Sequence, residues 1–146
     1  MGRLIVFLDA SVIVAILNRE PGFEEILKRL EDASTPLYCS GLSRFEATVS
    51  LARAKSFAVS GARPTPEAID AASAAVDALL SELKARDVAV SDSIGSGAIR
   101  AARTYGKVVG HPAALNFGDC FTYACAKAYR LKLAYKGDDF SQTDLK

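Results

Sequence analysis

Apolar positions along this chain follow two periods, one of a covered strand and one of a helix. Leu4-Ile5-Val6-Phe7-Leu8 is an unbroken apolar run, as in a central strand covered on both faces. Asp9-Ala10-Ser11 follows, then residues 12–17 as a short buried helix, with Pro21-Gly22 as punctuation. Phe23, Ile26, Leu27 and Leu30 repeat at helical spacing and leave Glu24, Glu25, Lys28 and Arg29 outside. Residues 37–40 predict a second strand. Leu42, Phe45, Val49 and Ala52 predict the buried face of a helix that also carries Glu46.

Residues 60–64 read as a loop, and Thr65-Pro66 as an N-cap followed by proline in the first turn. Ile69, Ala72, Val76, Leu79, Leu80 and Leu83 carry a helical stripe to about residue 86. Residues 88–90 predict a third strand, and residues 92–105 a helix that Gly106 ends. A loop of turn formers over 107–117 leads to a helix opened by Gly118-Asp119 and running through Arg130. Residues 133–135 predict a fourth strand, closed by Gly137-Asp138-Asp139. Strand and helix alternate and no hairpin turn joins two strands. The pattern predicts one α/β domain over residues 1–146: a parallel sheet of four to five strands with helices on both faces.

Composition narrows the function classes. Eighteen Lys and Arg against 17 Asp and Glu leave a net charge of +1, so no general basic field holds nucleic acid to this chain. An acidic site with a local basic rim remains open. Cys39, Cys120 and Cys125 lack C-x-x-C spacing and lie among apolar residues, which favours a reducing compartment over a disulfide framework. No stretch approaches the roughly 20 apolar residues of a membrane span. The expected location is the cytoplasm, away from membranes.

Ligands of an open parallel sheet bind beyond the carboxyl ends of its strands. Asp9 follows the first strand, and Asp138 and Asp139 follow the last. Asp119 begins a helix, where backbone N–H groups favour a carboxylate. Glu46, beside Phe45 and Val49, is placed partly inward. Carboxylates brought together repel unless a cation compensates, and Mg²⁺ or Mn²⁺ suits a site of carboxylates and waters. Such a site hydrolyses phosphodiesters. Each acid also has a plainer use: Asp9 or Asp119 as a helix N-cap, Glu46 as an exposed helical residue, Asp138-Asp139 as a turn.

Four stretches resemble the PIN-domain ribonucleases, most closely the VapC toxins of bacterial VapBC toxin–antitoxin systems. They are Val6-Phe7-Leu8-Asp9-Ala10-Ser11, Ser43-Arg44-Phe45-Glu46-Ala47, the segment from His111 through Asn116-Phe117-Gly118-Asp119-Cys120, and Tyr135-Lys136-Gly137-Asp138-Asp139-Phe140 with the residues to Leu145. The resemblance covers essentially the whole chain. It implies a three-layer PIN-like fold and a Mg²⁺- or Mn²⁺-dependent endoribonuclease toxin, inhibited by a VapB-type antitoxin and usually a homodimer. It also implies in-line attack by water, leaving a 5′-phosphate and a 3′-hydroxyl.

By position, Asp9, Glu46 and Asp119 match the family's acidic site, and the fourth acid falls in Asp138-Asp139. The place before phenylalanine favours Asp139, and the letters alone leave both open. Ser11 matches a hydroxyl residue that supports the first aspartate. Asp9 and Asp119 would bind the metal directly, Asp138 or Asp139 directly or through water, and Glu46 would hold a second metal or orient the attacking water. Arg44, Lys107, Lys127 and Lys136 flank the acids and are candidates for an RNA-binding rim, Arg44 and Lys136 foremost. The apolar first helices, residues 12–17 and 23–30, offer more apolar surface than one small core is expected to bury, and are candidates for a partner's patch.

Other chemistry fits less well. His111 is the only histidine, and neither Ser11 nor Cys120 sits in a nucleophile elbow. A haloacid-dehalogenase-like phosphatase wants Asp-x-Asp after the first strand, where Ser11 takes the third place. A receiver domain wants a phosphorylated aspartate mid-chain, which residues 88–90 do not provide. A non-catalytic α/β interaction module is the remaining alternative.

Overall fold

The computed structural model describes residues 6–145. Four strands, β1 (Val6–Leu8), β2 (Leu37–Ser40), β3 (Arg86–Val88) and β4 (Lys132–Ala134), form one parallel sheet in the order β3-β2-β1-β4. Between them run α1 (Ala10–Leu17), α2 (Phe23–Glu31), α3 (Gly41–Ser60), α4 (Pro66–Glu82), α5 (Asp92–Tyr105) and α6 (Phe117–Ala128). The α/β architecture is the one the alternation predicts, with four strands among the described residues. Leu4 and Ile5, expected in β1, lie outside those residues.

The period of two along β1 divides the core. Leu8 packs with Leu37, Cys39 and the inner faces of α1, α3 and α4, whereas Phe7 packs with Val88, Leu131, Phe140 and the inner faces of α5 and α6. Both side chains are fully buried, as expected of a strand sandwiched between helical layers.

Local signals set most helix starts. Thr65 accepts the Ala68 N–H ahead of Pro66, Ser91 accepts that of Ile94, and Ser40 accepts that of Ser43. Gly106 ends α5 where a side chain is excluded, because a Cβ there would collide with the Ala102 carbonyl.

Several expectations need correction. β3 lies at 86–88 and not at 88–90. Its register is set by pairing with β2, Tyr38 opposite Arg86 and Ser40 opposite Val88, so a short edge strand carries exposed Arg86 and Asp87 while Val90 falls outside it. Likewise β4 spans Lys132–Ala134, one residue earlier than its apolar letters indicate. α4 ends at Glu82, and α6 begins at Phe117 and ends at Ala128. Phe45 is 65% exposed, because α3 turns Ser43, Ala47, Leu51 and Ala52 toward the core. The apolar side of α1 is consumed by the core. Exposed large apolar residues gather instead at Phe57 and Val59 near the end of α3, and at Ile99, Val108 and Phe117 beside α5 and α6.

β1 is joined sideways to β2, and the chain then steps outward to β3. After α5 and α6 it returns to the other side of β1 as β4. The order therefore reverses between β1 and β4, and a crevice opens beyond their carboxyl ends. That crevice places the site.

Candidate active site

A cavity of about 430 Å³ lies at this switch point, lined by Asp9, Glu46, Asp119 and Asp139 together with Ser11, Glu20 and Lys136 among others. The four acids reach it from four elements: the end of β1, α3, the first turn of α6, and the segment after β4.

Asp9 combines its plain use with its place in the site. As N-cap of α1 its Oδ2 accepts the Ser11 N–H at 3.0 Å, and its Oδ1 accepts the Thr122 hydroxyl of α6 at 3.0 Å. Each oxygen retains a lone pair. Ser11 supports Asp9 through its backbone, while its own hydroxyl oxygen accepts the Lys136 N–H at 2.9 Å. That bond ties the segment after β4 to the first turn of α1.

Asp119 is not an N-cap. Asn116 caps α6, accepting the Asp119 N–H at 2.9 Å, and Asp119 Oδ2 accepts the Asn116 N–H at 3.1 Å. This reciprocal box fixes the carboxylate at the positive end of the helix.

Glu46 lies against the same turn. At Gly118 a Cβ would fall on the Glu46 carboxylate, so that carboxylate occupies the space a side chain at 118 would take. Thr122, Gly118 and Glu20 are positions at the site that sequence reasoning missed. Thr122 stands one helical turn after Asp119, a spacing that would have placed it beside the site. Gly118 shows its role only once α3 is packed against it.

Asp139 lines the cavity and acts electrostatically on Asp119, whereas Asp138 is not among the lining residues. The backbone carbonyl of Asp138 accepts from the Ser141 N–H and hydroxyl, closing a turn, and Phe140 anchors the segment in the core. The structure thus separates two neighbours between which the letters favoured Asp139 but left both open.

Burial pushes the Glu46 carboxyl up to about 7, with repulsion from Asp9 and then Asp119 adding to it. Burial also raises Asp119 to about 6, opposed by its hydrogen bond from Asn116 and assisted by Asp139 and Asp9. The cation lining the cavity, Lys136, is paired with Glu20 at 2.8 Å. A set of carboxylate oxygens whose repulsion is unrelieved fits a hard divalent cation. Among the described residues no three acidic, His or Cys side chains close into a ready-made coordination cage. The acids line an open cavity, which fits a cation that keeps part of its water shell.

The proposed basic rim divides. Lys136 is at the cavity, but Arg44 is committed elsewhere, to Asp77 at 2.9 Å and Asp87 at 3.0 Å, joining α3 to α4 and β3. Lys127 pairs with Asp144, and Lys107 lines a separate apolar groove. His111 is structural: its Nδ1 accepts the Ala113 N–H, and its ring stands edge-on to Tyr105.

The PIN-domain family model matches residues 6–146. A VapC ribonuclease of Rhizobium meliloti is 52% identical over 95% of this chain and 98% of its own length. Ribonuclease VapC42 of Mycobacterium tuberculosis is 34% identical over 94% of this chain and 95% of its own. The fold is also that of VapC20 of Mycobacterium tuberculosis, a sarcin-ricin loop cleaving toxin, with a TM-score of 0.66 at 16% identity, covering 93% of this chain and 92% of that one. This chain belongs to the PIN-domain family, among its VapC ribonucleases. It is accordingly a nuclease, and PIN-domain VapC nucleases are generally metal-dependent.

No helix among the described residues is long and apolar enough to cross a membrane.

Proposed function

We propose that this chain, a single PIN domain throughout, is the toxin of a type II toxin–antitoxin pair. It cleaves RNA internally with Mg²⁺ or Mn²⁺ in the cytoplasm. The observation that carries this reading is the meeting of Asp9, Glu46, Asp119 and Asp139 in one cavity at the switch point of the sheet. Asp9 and Asp119, each oriented by donors that leave oxygen lone pairs free, would hold the ion, and Asp139 would hold it directly or through water. When bound, the ion lowers the pKa of a water and neutralises charge on the phosphate being transferred.

Glu46 would orient the attacking water or hold a second ion. Thr122 and Ser11 keep Asp9 in its rotamer, and Asn116 does so for Asp119. Lys136 is the cation of the cavity wall and faces the RNA backbone. In-line displacement at phosphorus leaves a 5′-phosphate and a 3′-hydroxyl. The partners of this reading are a VapB-type antitoxin and a second copy of the chain, and exposed Ile99, Val108 and Phe117 supply apolar surface for contact.

The test is cleavage of structured RNAs with and without EDTA, wild type beside Asp9→Ala. Cleavage is expected only for wild type without chelator. Cleavage that survives both treatments overturns the reading, and added antitoxin is expected to suppress the wild-type reaction.

A further inference from the structure

The cation at the cavity wall has a second partner available to it. Among the described residues, Lys136 is the one Lys or Arg that lines the cavity, and four of the remaining lining residues are the carboxylates of the site. Its root is fixed, because its backbone N–H donates to Ser11 Oγ at 2.9 Å. Beyond that root the ammonium rides on a flexible four-carbon stem. Its observed partner is Glu20, at 2.8 Å, and the two side chains are 34% and 33% exposed.

Glu20 is not on a free loop. Arg19 closes α1 in the left-handed conformation with φ 50°, and the Glu20 N–H donates back to the Ala15 carbonyl at 2.9 Å. This is the bond pattern of a helix C-terminal motif, which places Glu20 at the cavity independently of Lys136.

We infer that Glu20 is a positioning residue: it holds the Lys136 ammonium at the wall of the cavity and keeps it out of the seat that Asp9, Glu46, Asp119 and Asp139 make for a divalent ion. Freed from Glu20, the ammonium has those carboxylates as its available anions. A lysine among them offsets one of their charges and competes with the metal. The inference rests on the metal-site reading above.

The experiment is calorimetric titration of the full chain with Mn²⁺, for wild type, Glu20→Gln, Lys136→Met and the double variant. Glu20→Gln is expected to bind Mn²⁺ about tenfold more weakly, within the range that supporting residues of metal sites command. Lys136→Met is expected to bind at least as tightly as wild type. The double variant is expected to return to the level of Lys136→Met, because no ammonium remains to intrude. Unchanged binding in Glu20→Gln overturns the inference. A weakening that persists in the double variant also overturns it, since Glu20 would then act on the ion without Lys136. Wild type that binds no Mn²⁺ overturns the metal-site reading itself, and the wild-type titration alone distinguishes that outcome.

Discussion

Two concavities share the first turn of α6. On one side Asp119 faces a cavity of about 430 Å³ with three other acids; on the other, Phe117, Cys120 and Phe121 face an apolar groove of about 980 Å³ bounded by Ile99 and Val108. The larger is the less chemical. Its walls are mostly apolar, with Asp92 and Lys107 as its charged groups, one of each sign, whereas the smaller concentrates carboxylates. Burial of like charges costs free energy in the empty site, and that cost is what a cation relieves. The comparison teaches that the site is marked by electrostatic conflict and not by size.

The sharpest way to break the comparison is to remove the conflict. Asp119→Asn is expected to lower RNA cleavage by more than about 100-fold. The melting temperature without metal should not fall, because the amide oxygen still accepts the Asn116 N–H and a repelled charge is gone. Cleavage near wild-type rates would remove Asp119 from the chemistry.

Gly118→Ala attacks the same turn without altering a charge. The new Cβ meets the Glu46 carboxylate, and the displacement is expected to cost about 10- to 100-fold in the rate of cleavage at saturating RNA. A variant with wild-type rates would show that Glu46 needs no such fixed position.

Protons should compete with metal on the acidic side alone. Glu46 and Asp119 titrate near 7 and 6 in the fold, above their ordinary 4.5 and 3.8. Lowering the pH from 8 to 5.5 is therefore expected to weaken Mn²⁺ binding about tenfold or more, with proton release on binding measurable by calorimetry in two buffers. The metal-free protein should respond in the opposite sense. Its native state holds these protons more tightly than the unfolded chain does, so this contribution to stability is fully present below the unfolded values. It is lost as pH rises through 6 and 7. A metal-free melting temperature that rises between pH 5.5 and 8 would count against the raised values.

The smallest effect belongs to the apolar groove. Ile99→Ser at a 71% exposed position should change folding stability by about 0.5 kcal/mol or less and leave cleavage intact. Any consequence should appear in sedimentation, as weaker self-association. A loss of cleavage comparable to that of Gly118→Ala would erase the distinction between the two concavities.

Much of this was legible in the letters because it is local. The strand–helix alternation, the Thr65-Pro66 start and the Gly106 stop depend on neighbours within one turn. The acids were legible by their places after β1 and β4 and in the Asn-Phe-Gly-Asp stretch. Other features were not. Phe45 reads as buried by periodicity, yet the face of α3 that meets the core is chosen by the helices packed on it. Arg44 reads as a phosphate ligand, yet Asp77 and Asp87, distant in sequence, occupy its guanidinium. Glu20 has no local signal at all, and its relation to Lys136 spans more than a hundred residues.

The sequence by itself determined the kind of layers, the family and the positions of four acids along the chain, since periodicity, capping and motif spacing act between residues close in sequence. Only the tertiary structure decided that Asp139 and not Asp138 enters the cavity, that Gly118 makes room for Glu46, and which cations are spent on structural pairs. Those are questions of distance in space. Distance is set by how the whole sheet and its two helical layers close, and no single segment contains it.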